Sequence, residues 1–350
     1  MVLELFKKEN FTNRPYVQLN SKNIVSDLLI HLDKTIEKLK AIDGILGITL
    51  NGGLSRGYAD HLSEIDIVIY LDKDHYDKWQ KGNSPIPLGI VKLNGYLYDI
   101  KVVILEDEKN RSWDSVALWD LSYSKVIFDP EGHIAQLMKD KLSNTSKSLD
   151  GKGYLWSSYW YYKLAGDIWI HRGDVFQGHF ILSKAVSPLI EALFLANNEY
   201  IPHEKWLIHM SRTLNWKPEH WEETLAKAMS TGDFSIQSLV ERQAAIEKIW
   251  KDINSYIINK ECPDFKLNIT QKYCYDLLKF LVEKEIVTVE EWETKASLDW
   301  LSGDPFYNIV TVDDEKIILD KEKFLSMNPQ DMYSWQYEVL EVVREEMRIY

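Results

Sequence analysis

The stretch LNGGLSRGYADHLSEIDIVIY, Leu50 to Tyr70, constrains this chain more than any other. Near its end acids and apolar residues alternate as Glu64, Ile65, Asp66, Ile67. That period of two reads as a strand with both carboxylates on one face and both isoleucines on the other. Adjacent carboxylates repel, so such a pair costs stability unless a cation, hydrogen bonds or water compensates, and a divalent metal compensates best. Upstream, Ile45 to Leu50 is a short apolar run that follows the turn Asp43-Gly44 and reads as a buried strand. The intervening NGGLSRGYADHLS is too long for a tight hairpin, and loops of that length in compact domains tend to be functional.

Within that loop, Gly52 and Gly53 lack side chains, which lets backbone N–H groups come close to a phosphate. Ser55 offers a hydroxyl donor, Arg56 a bidentate phosphate contact, and Gly57 a turn that other residues resist. A third acid, Asp99, stands between Tyr98 and Ile100 in YLYDIKVVIL, where a purely structural strand rarely carries a carboxylate. Glu64, Asp66 and Asp99 together form an oxygen-rich set suited to Mg²⁺. A phosphate cradle beside metal-binding acids is the arrangement phosphoryl chemistry needs.

The rest of the chain divides in two. Ser21 is the expected N-cap of a helix to about Ala41, with Ile24, Leu28, Leu29, Leu32, Ile36 and Leu39 at helical spacing. A helical piece from His75 to Gln80 precedes strands at Gly89 to Lys92 and Tyr96 to Leu105, which turn at Asn94-Gly95. Lys125 to Phe128 is one more strand. Beyond Gly151, helical spacing dominates in Tyr154 to Ile170, Phe176 to Leu195 and Ile236 to Ile257. The stretch from Lys266 onward reads as mixed helix with one small hairpin near Tyr307 to Leu319. The polar segment Leu142 to Gly153 suits a linker, and 350 residues are ample for two domains. The expectation is an α+β chain: a small mixed-sheet domain over 1–145 and an all-α helical domain over 150–350.

The glycine and acid pattern resembles the signature of DNA polymerase β-like nucleotidyltransferases. That signature is an apolar residue, Gly, then Gly or Ser, a spacer of about ten residues, and two acids flanking an apolar residue on a strand. Here it falls on Leu50 to Gly53, Leu54 to Ser63, and Glu64-Ile65-Asp66, with Asp99 matching the third acid on a later strand. The resemblance implies Mg²⁺ held by Glu64, Asp66 and Asp99, ATP as co-substrate, and Asp99 as the base for an acceptor hydroxyl. Two positions depart from the usual pattern. Gly53 stands where many members have serine, and Glu64, where aspartate is usual, carries its carboxylate roughly 1.5 Å further out.

The helical half, through GDIWIHRGDVFQGHFILSKAVSPLIEALFLANNEYIPHEKW, resembles the C-terminal domains of bacterial antibiotic nucleotidyltransferases. In such proteins a lysine reaches the triphosphate, which makes Lys184 and Lys205 the candidates. Asp167, Asp174 and Glu191, with Trp160 and Trp169, are candidates for an acidic acceptor pocket. Arg172 and His179 share the spacing of a ribonuclease motif, but a surface arginine and a packed histidine explain them more simply.

Composition narrows the partners. A formal net charge of -13 disfavours an extended nucleic acid and favours a cationic small molecule. Only Cys262 and Cys274 occur, too few for a disulfide framework, and nine histidines show no paired zinc spacing. The start lacks a signal-peptide stretch, and no window reads as the ~18 apolar residues of a membrane helix, so a cytoplasmic location with no membrane partner is expected. Three function classes remain. They are an enzyme adenylylating a small cationic hydroxyl compound such as an aminoglycoside, a protein- or RNA-modifying nucleotidyltransferase of toxin-antitoxin type, and a catalytically impaired nucleotide-binding module.

Overall fold

The apolar runs on either side of the glycine loop become the two central strands of a sheet. In a computed structural model that describes residues 14–18, 20–143 and 151–347, β1 (Ile45–Leu50) and β2 (Ile65–Leu71) pair antiparallel. β3 (Gly89–Leu93) and β4 (Tyr96–Ile104) form the hairpin expected around Asn94-Gly95. With β5 (Lys125–Phe128) at the other edge, the order is β3-β4-β2-β1-β5. β2 and β4 run parallel while the other pairs are antiparallel, and their register sets Asp66 opposite Asp99. Register partners in a parallel pair project to one side, so the two acids share a face of the sheet.

The first helix, α1 (Val25–Leu39), buries Leu28, Leu29, Leu32, Ile36 and Leu39 against the sheet core. It starts later than expected, and Ser21 is not its cap. Asn23 Oδ1 instead accepts from the N–H of Val25 at 3.1 Å and of Ala59 at 3.0 Å, so one amide group secures both the helix start and the glycine loop. A helix absent from the sequence expectation, α2 (Ser115–Tyr123), follows β4 and is capped by Asp114, which accepts from Ala117 N–H at 2.8 Å. Leu118, Trp119 and Tyr123 of α2 pack into the core of the helical half. With apolar residues on more than one face, α2 shows little helical periodicity in sequence.

The helical half is built around α3 (Gly151–Tyr159), α4 (Val175–Ala196), α5 (Glu204–Ser211) and α6 (Ile236–Glu261). Its centre is the contact between α4 and α6, where Leu182, Leu189, Leu193, Ile246, Ile249 and Ile253 are buried. By length and composition alone α4 passes for a helix able to cross a membrane, a test that buried core helices also pass. In the fold it is a core helix, with 56% of its most apolar window buried inside the protein.

A third core gathers around α7 (Lys272–Lys284) and α8 (Ser334–Met347). The expected hairpin is present as β7 (Val310–Asp313) and β8 (Lys316–Leu319), and β6 (Ile286–Thr288) joins it to give the order β6-β8-β7. The C-terminal half is thus helical with one small sheet. In the expected linker, Leu142 and Ser143 close a helix and Gly151 to Gly153 open α3, while 144–150 lie outside the described residues.

The two halves are also tied by the segment 14–18. Arg14 donates to Glu199 at 2.8 Å and to the carbonyl of Ser122 at 2.9 Å, while Tyr123 donates its hydroxyl to the carbonyl of Pro15 at 2.7 Å. Thr213 Oγ1 exchanges hydrogen bonds with the backbone of Tyr16 at 2.9 and 3.0 Å.

Both cysteines are free thiols, and burial pushes Cys274 up to about 12. Native protein at pH 8 is therefore expected to release one equivalent of thionitrobenzoate from Ellman's reagent, through Cys262, and a second only in denaturant. Equal labelling of both in the native state contradicts this packing.

Candidate functional site

The glycine turn is shaped by what stands behind it. Asn51 N–H donates to the carbonyl of Asp66 at 2.9 Å, and this draws the loop onto β2. Gly52 then takes φ +62° at the head of a short helical turn, Gly52–Ser55. A Cβ there would lie 1.8 Å from Asp66 Oδ2, so a glycine is required by its conformation and by the carboxylate pressed against it. Gly53 has different surroundings: a Cβ would meet the Tyr58 ring at 3.1 Å, a tight contact that the ring must give way to relieve.

This turn opens on a cleft of about 720 Å³ that both halves line. Gly52, Gly53, Arg56, Glu64, Asp66 and Asp99 line it from the sheet domain, and Lys205 lines it from α5. Glu64 immediately precedes β2, and Asp66 is its second residue. The acids crowd one another. Burial, then the charges of Glu64, Asp120 and Asp99, push the Asp66 carboxyl up to about 7, against a smaller opposing pull from Arg56.

Three of the expected roles are altered by neighbours. Ser55 is fully buried and donates its hydroxyl to the carbonyl of Gly52 at 2.9 Å, so it stabilises the turn and does not face the cleft. Arg56 is also buried, ion-paired to Asp120 at 2.8 Å and stacked 4.4 Å over the Trp119 ring. In this state its fork is directed at α2 and not at an open phosphate position. Asp99 forms an ion pair with Lys101 at 3.2 Å. Among the described residues, no three acids, histidines or cysteines are gathered into a ready cage for an ion. The expected triad therefore shares a cleft, but Lys101, two residues along β4 on the same face, engages one of its members.

Sequence reasoning missed Asp120, Asn51 and Lys101. Asn51 Nδ2 donates to Asp120 Oδ2 at 2.9 Å and to Ser124 Oγ at 2.8 Å, while Thr49 donates to Asn51 Oδ1 at 2.7 Å. The network pins α2 to the end of β1. Lys101 was legible, since alternation along β4 puts it beside Asp99. Asp120 was not, because α2 itself went unread.

Of the two candidate lysines, Lys205 lines the cleft together with Trp206, whose ring meets Tyr58 edge-on at 5.4 Å. Lys184 does not line it and instead lies 5.3 Å over the ring of Phe180, one turn earlier on α4. The expected acidic acceptor pocket is not assembled at the cleft either. Asp167 pairs with Lys163 at 2.9 Å, Asp174 caps α4, Glu191 accepts from Ser187 at 3.3 Å, and Trp169 lies under Arg172. His179 is buried and bonded to Arg242, which removes the ribonuclease reading of Arg172 and His179.

A glycine turn held against crowded carboxylates, on a small mixed sheet, is an arrangement suited to phosphate esters, with backbone donors on one side and carboxylate oxygens on the other. Residues 32–122, which include the turn and all four acids, match the family of nucleotidyltransferase domains. Residues 32–122 of the chain thus carry a nucleotidyltransferase domain of the polymerase β-like superfamily. No curated protein matches the sequence. Among solved structures it is similar to a nucleotidyltransferase-like protein from Exiguobacterium sibiricum 255-15. That likeness has 12% identity and a TM-score of 0.40, covering 83% of this chain and 98% of the other, and at that score it carries no argument about the site.

Two outcomes are expected from this geometry. Because the native state holds the Asp66 proton more tightly than the unfolded chain, stability falls as pH rises from the unfolded value near 4 through about 7. In metal-free buffer Asp66→Asn should therefore melt higher than the parent at pH 8, on the order of a few kcal/mol, and lose most of that advantage at pH 5. Thermal denaturation with chelator checks this, and an equal difference at both pH values contradicts it. Gly52→Ala should destabilise by at least about 1 kcal/mol in denaturant titration, since its left-handed backbone and the Asp66 contact both oppose a methyl group.

Proposed function

We propose that this protein transfers a nucleoside monophosphate, AMP from ATP, to a hydroxyl of a small cationic acceptor in a Mg²⁺-dependent reaction. The observation that carries the reading is the cleft in which the Gly52-Gly53 backbone meets Glu64, Asp66 and Asp99, with Lys205 on the opposing helical wall. The donor set suits magnesium: it is all oxygen, and Asp66, raised in proton affinity by burial and then by the neighbouring acids, sits where a divalent cation would offset those like charges. Glu64, Asp66 and Asp99 would hold the ion, with Asp99 leaving Lys101, and the ion would supply charge neutralisation on the phosphates.

The protein's own groups do the rest. Backbone N–H groups of the glycine turn receive phosphate oxygens, and Lys205 adds a positive charge from α5. Arg56 acts through Asp120, holding α2 and the turn in register, and is not a phosphate ligand in this reading. Asp99 takes the acceptor proton. A cleft bordered by Asp60, Asp114 and Asp120 besides the three acids favours a cationic acceptor and disfavours extended nucleic acid. The two free thiols support work in a reducing cytoplasm.

One observation favours a second reading. The Asp99–Lys101 pair, together with Glu64 in place of aspartate, suits a nucleotide-binding module that does not turn over. Pyrophosphate release separates the two. The parent with Mg²⁺, each nucleoside triphosphate and a panel of aminoglycosides is expected to release pyrophosphate, most with ATP. Asp99→Asn should lower the rate at least about a hundredfold at matched nucleotide occupancy, and Lys205→Ala should weaken nucleotide binding. Nucleotide binding without release under every combination makes the module the correct reading.

A further inference from the structure

We propose a second ligand site, away from the nucleotide cleft, that binds a small aromatic amine in its cationic form. It is a cavity of about 780 Å³ at the seam between the helical core and the third core, and it shares no lining residue with the cleft. α3 and its continuation contribute Trp156 and Trp160. The opposing wall contributes Tyr273 from α7, Trp300 from the turn Leu298–Ser302, and Trp335 from α8. The rings come as two contact pairs, Trp156 with Trp335 and Tyr273 with Trp300, each with centroids 4.9 Å apart. Trp160 has no place in the apolar cores and stays 50% exposed at the cavity. Aromatic walls that leave an indole this open suit a ring-bearing ligand or a cation.

The polar groups of the cavity choose between those options. Its two lysines are already paired, Lys152 with Glu261 at 3.3 Å and Lys272 with Asp276, so they offer little to an anion. Asp304 has no cationic partner among the described residues, and its Oδ1 accepts from Asn308 Nδ2 at 2.6 Å. Gln336 Nε2 donates to the carbonyl of Asp304 at 3.1 Å, which leaves Gln336 Oε1 buried without a donor. A buried carbonyl oxygen without a partner is unfavourable until a donor reaches it. A carboxylate and a bare carbonyl tethered together, in a chamber of indole rings, call for N–H donors on a positively charged, ring-bearing molecule.

Isothermal titration at pH 7 with three probes of one shape tests the site: tryptamine, neutral tryptophol and anionic indole-3-acetate, each with saturating Mg-ATP present. Tryptamine is expected to bind at least about tenfold tighter than either of the others. Trp160→Ala and Asp304→Asn should each weaken it about tenfold while leaving Mg-ATP affinity unchanged. Trp160 lies outside the cores, so its variant keeps the fold, which thermal melting verifies. Equal affinity for the three probes, no tryptamine binding at millimolar concentration, or binding that survives in both variants overturns the proposal. So does tryptamine binding that appears only when Mg-ATP is left out, because that places it in the nucleotide cleft.

Discussion

The site depends on one contact: Gly52 pressed against the carboxylate of Asp66. The hydrogen bond from Asn51 N–H to the carbonyl of Asp66 brings the glycine turn onto β2, and only a residue without a side chain fits where the turn then passes. The backbone N–H groups of the turn and the carboxylate oxygens are thereby fixed together, so the phosphate and metal contacts proposed for them would need little further ordering. Burial first, and then the charges of Glu64, Asp120 and Asp99, raise the proton affinity of Asp66.

Around that contact, charges are balanced in pairs that reach across elements. Arg56 to Asp120 ties the turn to α2, Asn51 ties β1 to the same acid, and Lys101 holds Asp99 along β4. α2 also lends Leu118, Trp119 and Tyr123 to the helical core, so the helix that carries Asp120 is anchored in both halves. Lys205 reaches the cleft from α5, so the cleft is completed only when the two halves are in contact. The segment 14–18 reinforces that contact with hydrogen bonds to α2 and to the helical half.

The aromatic chamber obeys a different logic. The cleft at the glycine turn is lined by more acids than bases, whereas the chamber has paired lysines and open rings. Each cavity lies at a boundary between cores, where packing is least continuous and a ligand can fill what side chains do not.

The sequence by itself determined the strands that carry the site. Alternation fixed the two faces of β2, the glycine pair marked a tight turn beside the acids, and Asp99 stood out because carboxylates are costly inside apolar strands. Those signals are local, set by periods and neighbours along the chain. Tertiary structure decided what each group faces. Ser55 and Arg56 read as phosphate ligands in sequence, yet the hydroxyl is used within its own turn and the guanidinium by Asp120. Lys184 and Lys205 were equal candidates until folding placed one at the cleft and the other over Phe180. α2 escaped notice because a helix packed on more than one side loses the polar stripe by which helices are read. Pairing between distant residues leaves no period in the chain, and so only the fold could assign it.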